Sequence, residues 1–209
     1  MRTNKYFYII LFGLASMCQN IFAQEDFDIK LKVFYTGNNV FLRWYPQDYD
    51  TYVKCAKKGF AVERRQMGNV EGWQSLGVVE IGSLNEFEQW ESKDSNAGLF
   101  KYILYKDELI NRLRATQPDS VKVLQNYYKQ IQGDSKTYLY GMMMLSTEFS
   151  VDLSRLAAVN FMDEMTRTQQ TYEYRVSPID KSVKVKSEIV RLVTNRRTQL
   201  MPMSKIEIS

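Results

Sequence analysis

Asp48 and Asp50 flank Tyr49, and Glu86, Glu88 and Glu91 surround Trp90. Two carboxyl groups beside aromatic rings are what a glycoside hydrolase uses. One, with a raised pKa, protonates the leaving oxygen; the other acts as base or nucleophile, about 5 to 9.5 Å away. The same acids also read as ordinary solvated loop residues. As oxygen donors to calcium they lack the D-x-D-x-D-G spacing. The 209 residues contain no histidine, which removes Ser-His-Asp and Cys-His catalysis and any histidine-ligated zinc or haem. No catalytic, cofactor-binding or metal-binding residue is assigned, and the chain is expected to be non-enzymatic.

Aromatic rings offer a different chemistry. An exposed ring stacks on sugars or anchors a protein partner, because it brings large contact area at small entropic cost. Tyr45, Tyr49 and Tyr52, around the loop after the second strand, and Tyr127 and Tyr138, on helical segments, are the candidate binding-surface residues. Trp73 and Trp90 could join the loop tyrosines in a glycan-binding platform. Alternatively, these rings cover the seam between helices and strands. Met142, Met143 and Met144 read either as an adaptable core face or as a binding groove.

These residues must be held by strands and helices whose periods are visible. Asp28 to Tyr35 alternates, with Ile29, Leu31, Val33 and Tyr35 on one face, and "TGNN" then supplies a tight turn. Val40 to Tyr45 returns with Val40, Leu42 and Trp44 on one side and Phe41, Arg43 and Tyr45 on the other; Pro46 ends the strand. Phe60, Val62 and Arg64 share a face of a third strand, and Trp73 to Ile81 reads as a fourth. From about Ser92 the apolar spacing shifts to threes and fours through Leu113, marking helix. Pro118 starts a second helical segment and Gly133 is placed to cap its end. Ser135 and Ser150 can cap two more. Strands resume at Thr171, where Tyr172, Tyr174 and Val176 share a face, and again at Lys186.

Residues 1–23 read as a secretory signal peptide, with Arg2 and Lys5 ahead of an apolar run too short to span a bilayer. A competing reading acylates Cys18, although Met17 is a poor residue before a lipidated cysteine. Cleavage after Ala23 would leave Cys55 alone, so burial and not cross-linking must hold the fold. It would also leave 26 basic against 24 acidic residues, a net charge of +2. The basic residues are interspersed with acids, so no nucleic-acid footprint is present. No later stretch is long and apolar enough to span a membrane.

"VFLRWYP", "FAVER" and "YEYRV" resemble the strand motifs of a fibronectin type III domain, and their order with "GFAVER", the "WQSL" strand and the "EFEQW" segment resembles secreted or surface-exposed fibronectin type III proteins of Bacteroidota. That resemblance implies a mainly β, immunoglobulin-like sandwich over residues 27–195, with a helical insertion of about 80 residues near 92–160. Trp44, Leu42, Phe60, Val62, Tyr172, Tyr174 and Val176 would form its core, with Tyr172 as the tyrosine corner. The Leu-x-Pro turn usual before that tyrosine is replaced by "TRTQQ". "DSV" at Asp119–Val121 resembles a short O-glycosylation acceptor of such bacteria, and it also suits a helix start, where Asp is favoured. Residues 196–209 read as a linker and the first strand of a further module. The expected role is that of an exported binding or structural module, in the periplasm, at the outer membrane or outside the cell. It would contact a protein partner, or as an alternative a glycan, through the helical insertion and nearby loops.

Overall fold

The structure, a computed structural model, describes residues 27–194 apart from 69, 71 and 131–133, with the side chains of 127, 128, 130, 134 and 135 also left undescribed. The expected signal peptide, Cys18, the Gly133 cap and the 196–209 tail lie outside the described residues. Two antiparallel sheets are present. Strands β1 (Ile29–Tyr35), β2 (Val40–Pro46) and β5 (Asn160–Asp163) form one in the order β1-β2-β5. Strands β3 (Phe60–Gln66), β4 (Gln74–Val79), β6 (Thr171–Pro178) and β7 (Ile189–Val193) form the other in the order β4-β3-β6-β7. Seven helices accompany them among the described residues: α1 (Tyr49–Ala56), α2 (Leu84–Glu91), α3 (Asn96–Leu104), α4 (Lys106–Thr116), α5 (Pro118–Gln130), α6 (Asp134–Phe149) and α7 (Val151–Leu156).

This corrects the expected fold class. Of the described residues 42% are helical and 28% lie in strands, so the protein is mixed α/β and not a mainly β sandwich with one inserted helical block. Helix already enters between β2 and β3 as α1, where a polar loop was expected. Asp48 caps it, its carboxylate accepting from the Thr51 amide at 2.9 Å. The six-helix run begins at Leu84, earlier than Ser92, because Ser83 and Glu86 form a capping box. At the far end of the run, where no strand was expected, β5 pairs with β2 from Val40↔Asp163 to Arg43↔Asn160.

Between the sheets lies the core. The inner face of β2 (Val40, Leu42, Trp44) meets Phe60 and Val62 of β3 and Tyr172, Tyr174 and Val176 of β6, and all are buried in one cluster. The Trp44 and Phe60 rings lie 5.6 Å apart. The Tyr172 hydroxyl accepts from the Arg167 backbone amide at 3.1 Å, fastening the entry to β6. At one end of this layer a polar knot joins the sheets. Arg64 of β3 donates to the Asp163 carboxylate of β5 at 2.7 Å, and the Tyr174 hydroxyl donates to the same oxygen at 2.9 Å. The other Asp163 oxygen accepts from the Met165 amide at 3.1 Å, so a buried charge is matched on each side.

The outer face of β2 is also covered, and this is the physical reason for the change of class. Phe41 and Arg43 are buried. Arg43 donates to the Thr147 hydroxyl and faces Glu148 at 3.5 Å, both on α6, and the Tyr140 hydroxyl of α6 donates to the Pro46 carbonyl. The helices extend the same core through a chain of rings: Tyr140 to Tyr52 (5.9 Å), Tyr52 to Phe100 (6.4 Å), Phe100 to Phe87 (6.1 Å) and Phe87 to Tyr105 (6.0 Å). A smaller cluster of Leu84, Leu109, Ile110, Val121 and Leu124 joins α2, α4 and α5. The run leaves and rejoins the sheets at one place, where the Gly82 amide donates to the Leu156 carbonyl at 2.8 Å. A Cβ at Gly82 would lie 2.5 Å from the end of the Leu156 side chain, so any larger residue there would have to displace that side chain.

Asp163→Ala should destabilise the chain by about 3–5 kcal/mol in urea unfolding, because it leaves a buried guanidinium and a buried phenol without their shared acceptor. The double change Arg64→Met with Asp163→Leu should recover most of that loss.

Candidate interaction surface

The carboxylates that could have formed a hydrolytic pair are engaged elsewhere. Asp48 caps α1, and Asp50 pairs with Lys136 at 2.5 Å. Glu86 closes the capping box, Glu88 pairs with Arg112 at 3.1 Å, and Glu91 holds Lys101. Burial pushes the Asp48 carboxyl up, but hydrogen bonds from Thr51 outweigh it and hold the group below its usual range. The Ser83 amide and hydroxyl do the same for Glu86. A general acid needs a shift in the opposite direction. Among the described residues no three His, Cys, Asp or Glu side chains converge where they could hold a metal ion.

The tyrosines singled out by sequence separate into different environments. Tyr52 is a correction: it is fully buried, donating to the Ala157 carbonyl at 3.0 Å at the centre of the ring chain, and it offers no surface. Tyr45 is half-buried on the outer face of β2, with burial and then Glu148 raising its phenol well above the usual range. Tyr49 is half-buried with the Lys136 ammonium 4.6 Å from its ring. The Tyr127 side chain lies outside the described residues. Tyr138 is exposed to 71%. The other proposed platform rings sit on different elements. Trp73, ahead of β4, is flanked by Arg65 (4.8 Å) and Arg175 (4.2 Å), and Trp90 of α2 lies 4.8 Å from the Lys93 ammonium.

Tyr138 belongs to a larger feature. On α6 the residues Tyr140, Met143, Met144 and Thr147 turn inward and are buried, whereas Tyr138, Met142, Leu145 and Phe149 turn outward. Their exposures are 71%, 39%, 49% and 58%. The steps of four, three and four place these side chains in one line along the helix. Helix α6 thus carries apolar side chains on two opposite faces, of which only the inward one is covered, whereas a surface helix ordinarily has a single apolar stripe turned to the core. The three methionines divide accordingly, with Met143 and Met144 in the core and Met142 in the outward line. Gly141 lies beside this line, and a Cβ there would meet nothing within 4 Å. Glycine in a helix interior costs about 1 kcal/mol relative to alanine, and no contact within the described residues requires it.

The outer face of the four-stranded sheet is of another kind. Glu173, largely buried, is clasped by Arg65 at 2.5 Å and Arg191 at 2.8 Å, and Arg175 grips Glu63 with two hydrogen bonds of 2.7 and 2.9 Å. The charges are satisfied mutually, so this face reads as a self-paired ladder. Nearby, Ser177, Pro178, Lys181, Val183, Lys184, Val185 and Lys186 line a shallow open groove.

No protein-family model matches the chain, and no curated protein matches it. Among the described residues no helix is long and apolar enough to cross a membrane.

Two outcomes test these assignments. Hydrogen bonds from Arg191 and then Arg65 hold Glu173 below its ordinary value of 4.5. A depressed carboxyl stabilises the fold above its unfolded pKa and loses that contribution as pH falls through the folded value. The urea midpoint of wild type should therefore exceed that of Glu173→Gln at neutral pH, and the gap should narrow as the pH falls below 4.5 and through the depressed folded value. Burial pushes the Cys55 thiol up to about 11. Peptide mapping after alkylation at pH 8 should find Cys55 unmodified in the folded chain and labelled in denaturant.

Proposed function

We propose that the chain is an exported, non-catalytic module that makes protein contacts through the outward face of α6. One observation carries this reading: a four-residue apolar line on a helix whose opposite face is fixed to the core. Exposed apolar patches rimmed by polar residues mark protein-contact sites, and rigid secondary structure presents them with little ordering cost. The charged N-terminal segment with its short apolar run supports export to the periplasm or the cell surface. The likeness of the strand motifs to fibronectin type III proteins supports a scaffold role, since such frames display recognition elements. It bears on the strands only, because the helices share the core and are not appended to it.

The reading is tested by capture from an envelope extract with immobilised chain, comparing wild type with Tyr138→Ala and Phe149→Ala. Each change should reduce partner retention by about tenfold or more, as truncating a central aromatic anchor does. Unfolding free energy should move by only about 0.5 kcal/mol, because both rings are already in solvent. Undiminished capture by both variants would overturn the assignment of this face.

A further inference from the structure

Resting on the protein-contact reading above, we propose that the occupant of the α6 face is a second copy of this chain, paired antiparallel about a two-fold axis that crosses the helix between Met143 and Met144. The first reason is self-complementarity. In that register Tyr138 stands opposite the partner's Phe149 and Met142 opposite the partner's Leu145, so rings meet rings and flexible side chains meet between them. A two-fold interface needs one patch that complements itself, and a line with steps of four, three and four satisfies that requirement when its direction is reversed.

The second reason is electrostatic. No charged residue occurs between Lys136 and Glu148, so two copies of this stretch approach without like-charge repulsion. Antiparallel helices also set opposite dipole ends side by side, which favours that direction over the parallel one.

Area sets the strength. Aromatic side chains bury ~150–250 Å² each, so the exposed parts of the four residues come to roughly 400 Å² per copy. A standard interface buries about 800 Å² per partner. Backbone on either side of Gly141, opened to close approach by the missing side chain, together with the exposed Val151 supplies further surface. The result is a reversible, concentration-dependent dimer and not an obligate one.

Sedimentation equilibrium of the purified chain across the micromolar range tests this. Wild type should move from monomer to twice the monomer mass as concentration rises. Tyr138→Lys alone and Phe149→Glu alone should each raise the dissociation constant about a hundredfold, with unchanged thermal unfolding of the monomer. The chain carrying both changes brings opposite charges together at each end of the antiparallel interface, and should dimerise at least tenfold more tightly than either single variant. In a parallel register it would set like charges together, so failure of that rescue overturns the antiparallel pairing. Wild type that remains monomeric throughout overturns the second copy as occupant. If that monomer still captures an envelope protein through Tyr138 and Phe149, the contact reading stands and only the self-pairing falls; if capture is also insensitive to those rings, both fall.

Discussion

The buried Asp163 carboxylate is the constraint on which the arrangement depends. It belongs to β5, the four-residue strand that follows directly on the helical run, and it is held by Arg64 and Tyr174 of the opposite sheet. A carboxylate in that position is tolerable only with its lone pairs matched, and the matching groups come from β3, far away in sequence, and from β6. The knot therefore fixes two things at once: the separation of the sheets, and the point at which the chain returns from the helices. Arg64 also donates to the Gln74 side chain and the Met165 carbonyl at 3.1 Å, which brings the start of β4 and the exit of β5 into the same network.

From that anchored return the helices can only lie back over β2. Arg43 illustrates the consequence. It alternates with inward-facing residues and so points away from the inter-sheet core, yet it is buried under α6. Desolvation lowers its pKa, and the nearby Glu148 opposes that fall. The chain of rings from Tyr140 to Tyr105 then carries packing outward from β2 through α1, α3 and α2. Strand and helix layers form one core, and α6 ends as its outermost layer on that side.

The strands were legible in sequence because each buries one face, and a period of two survives wherever one side is dry. Trp44, Leu42, Phe60, Val62, Tyr172, Tyr174 and Val176 could be read in this way and occupy the buried cluster. Helix α1 was not legible. Its signals were the Asp48 cap and the helical spacing of Tyr49, Tyr52, Val53 and Ala56, which over only eight residues interspersed with Asp50, Thr51 and Lys54 read as a polar loop. Strand β5 was missed because four residues cannot display a period and its key side chain is an acid, whose partner Arg64 lies 99 positions away. The mainly β class failed for a related reason: Arg43 reads as a solvent-facing residue, and nothing local reveals that a helix covers it. Of the interaction surface, Tyr138 was legible as an aromatic on a helix. Met142 was read with Met143 and Met144 as core face or groove without a division among them, and Leu145 and Phe149 were obscured because a helix apolar on both faces has no single stripe to stand out; only the placement of Tyr140, Met143 and Thr147 shows which face remains open.

The hydrogen bond between Gly82 and Leu156 gives the helical run an unusual independence in chain connectivity. Its two ends stand side by side, so a very short turn could rejoin the strands if everything between were excised, with little loop-closure entropy to overcome. Connectivity and solvation point in opposite directions here. The shortened chain would close easily, but it would bare Phe41, Arg43 and the inner side of Tyr52 to water. The run is thus severable in topology and indispensable in packing.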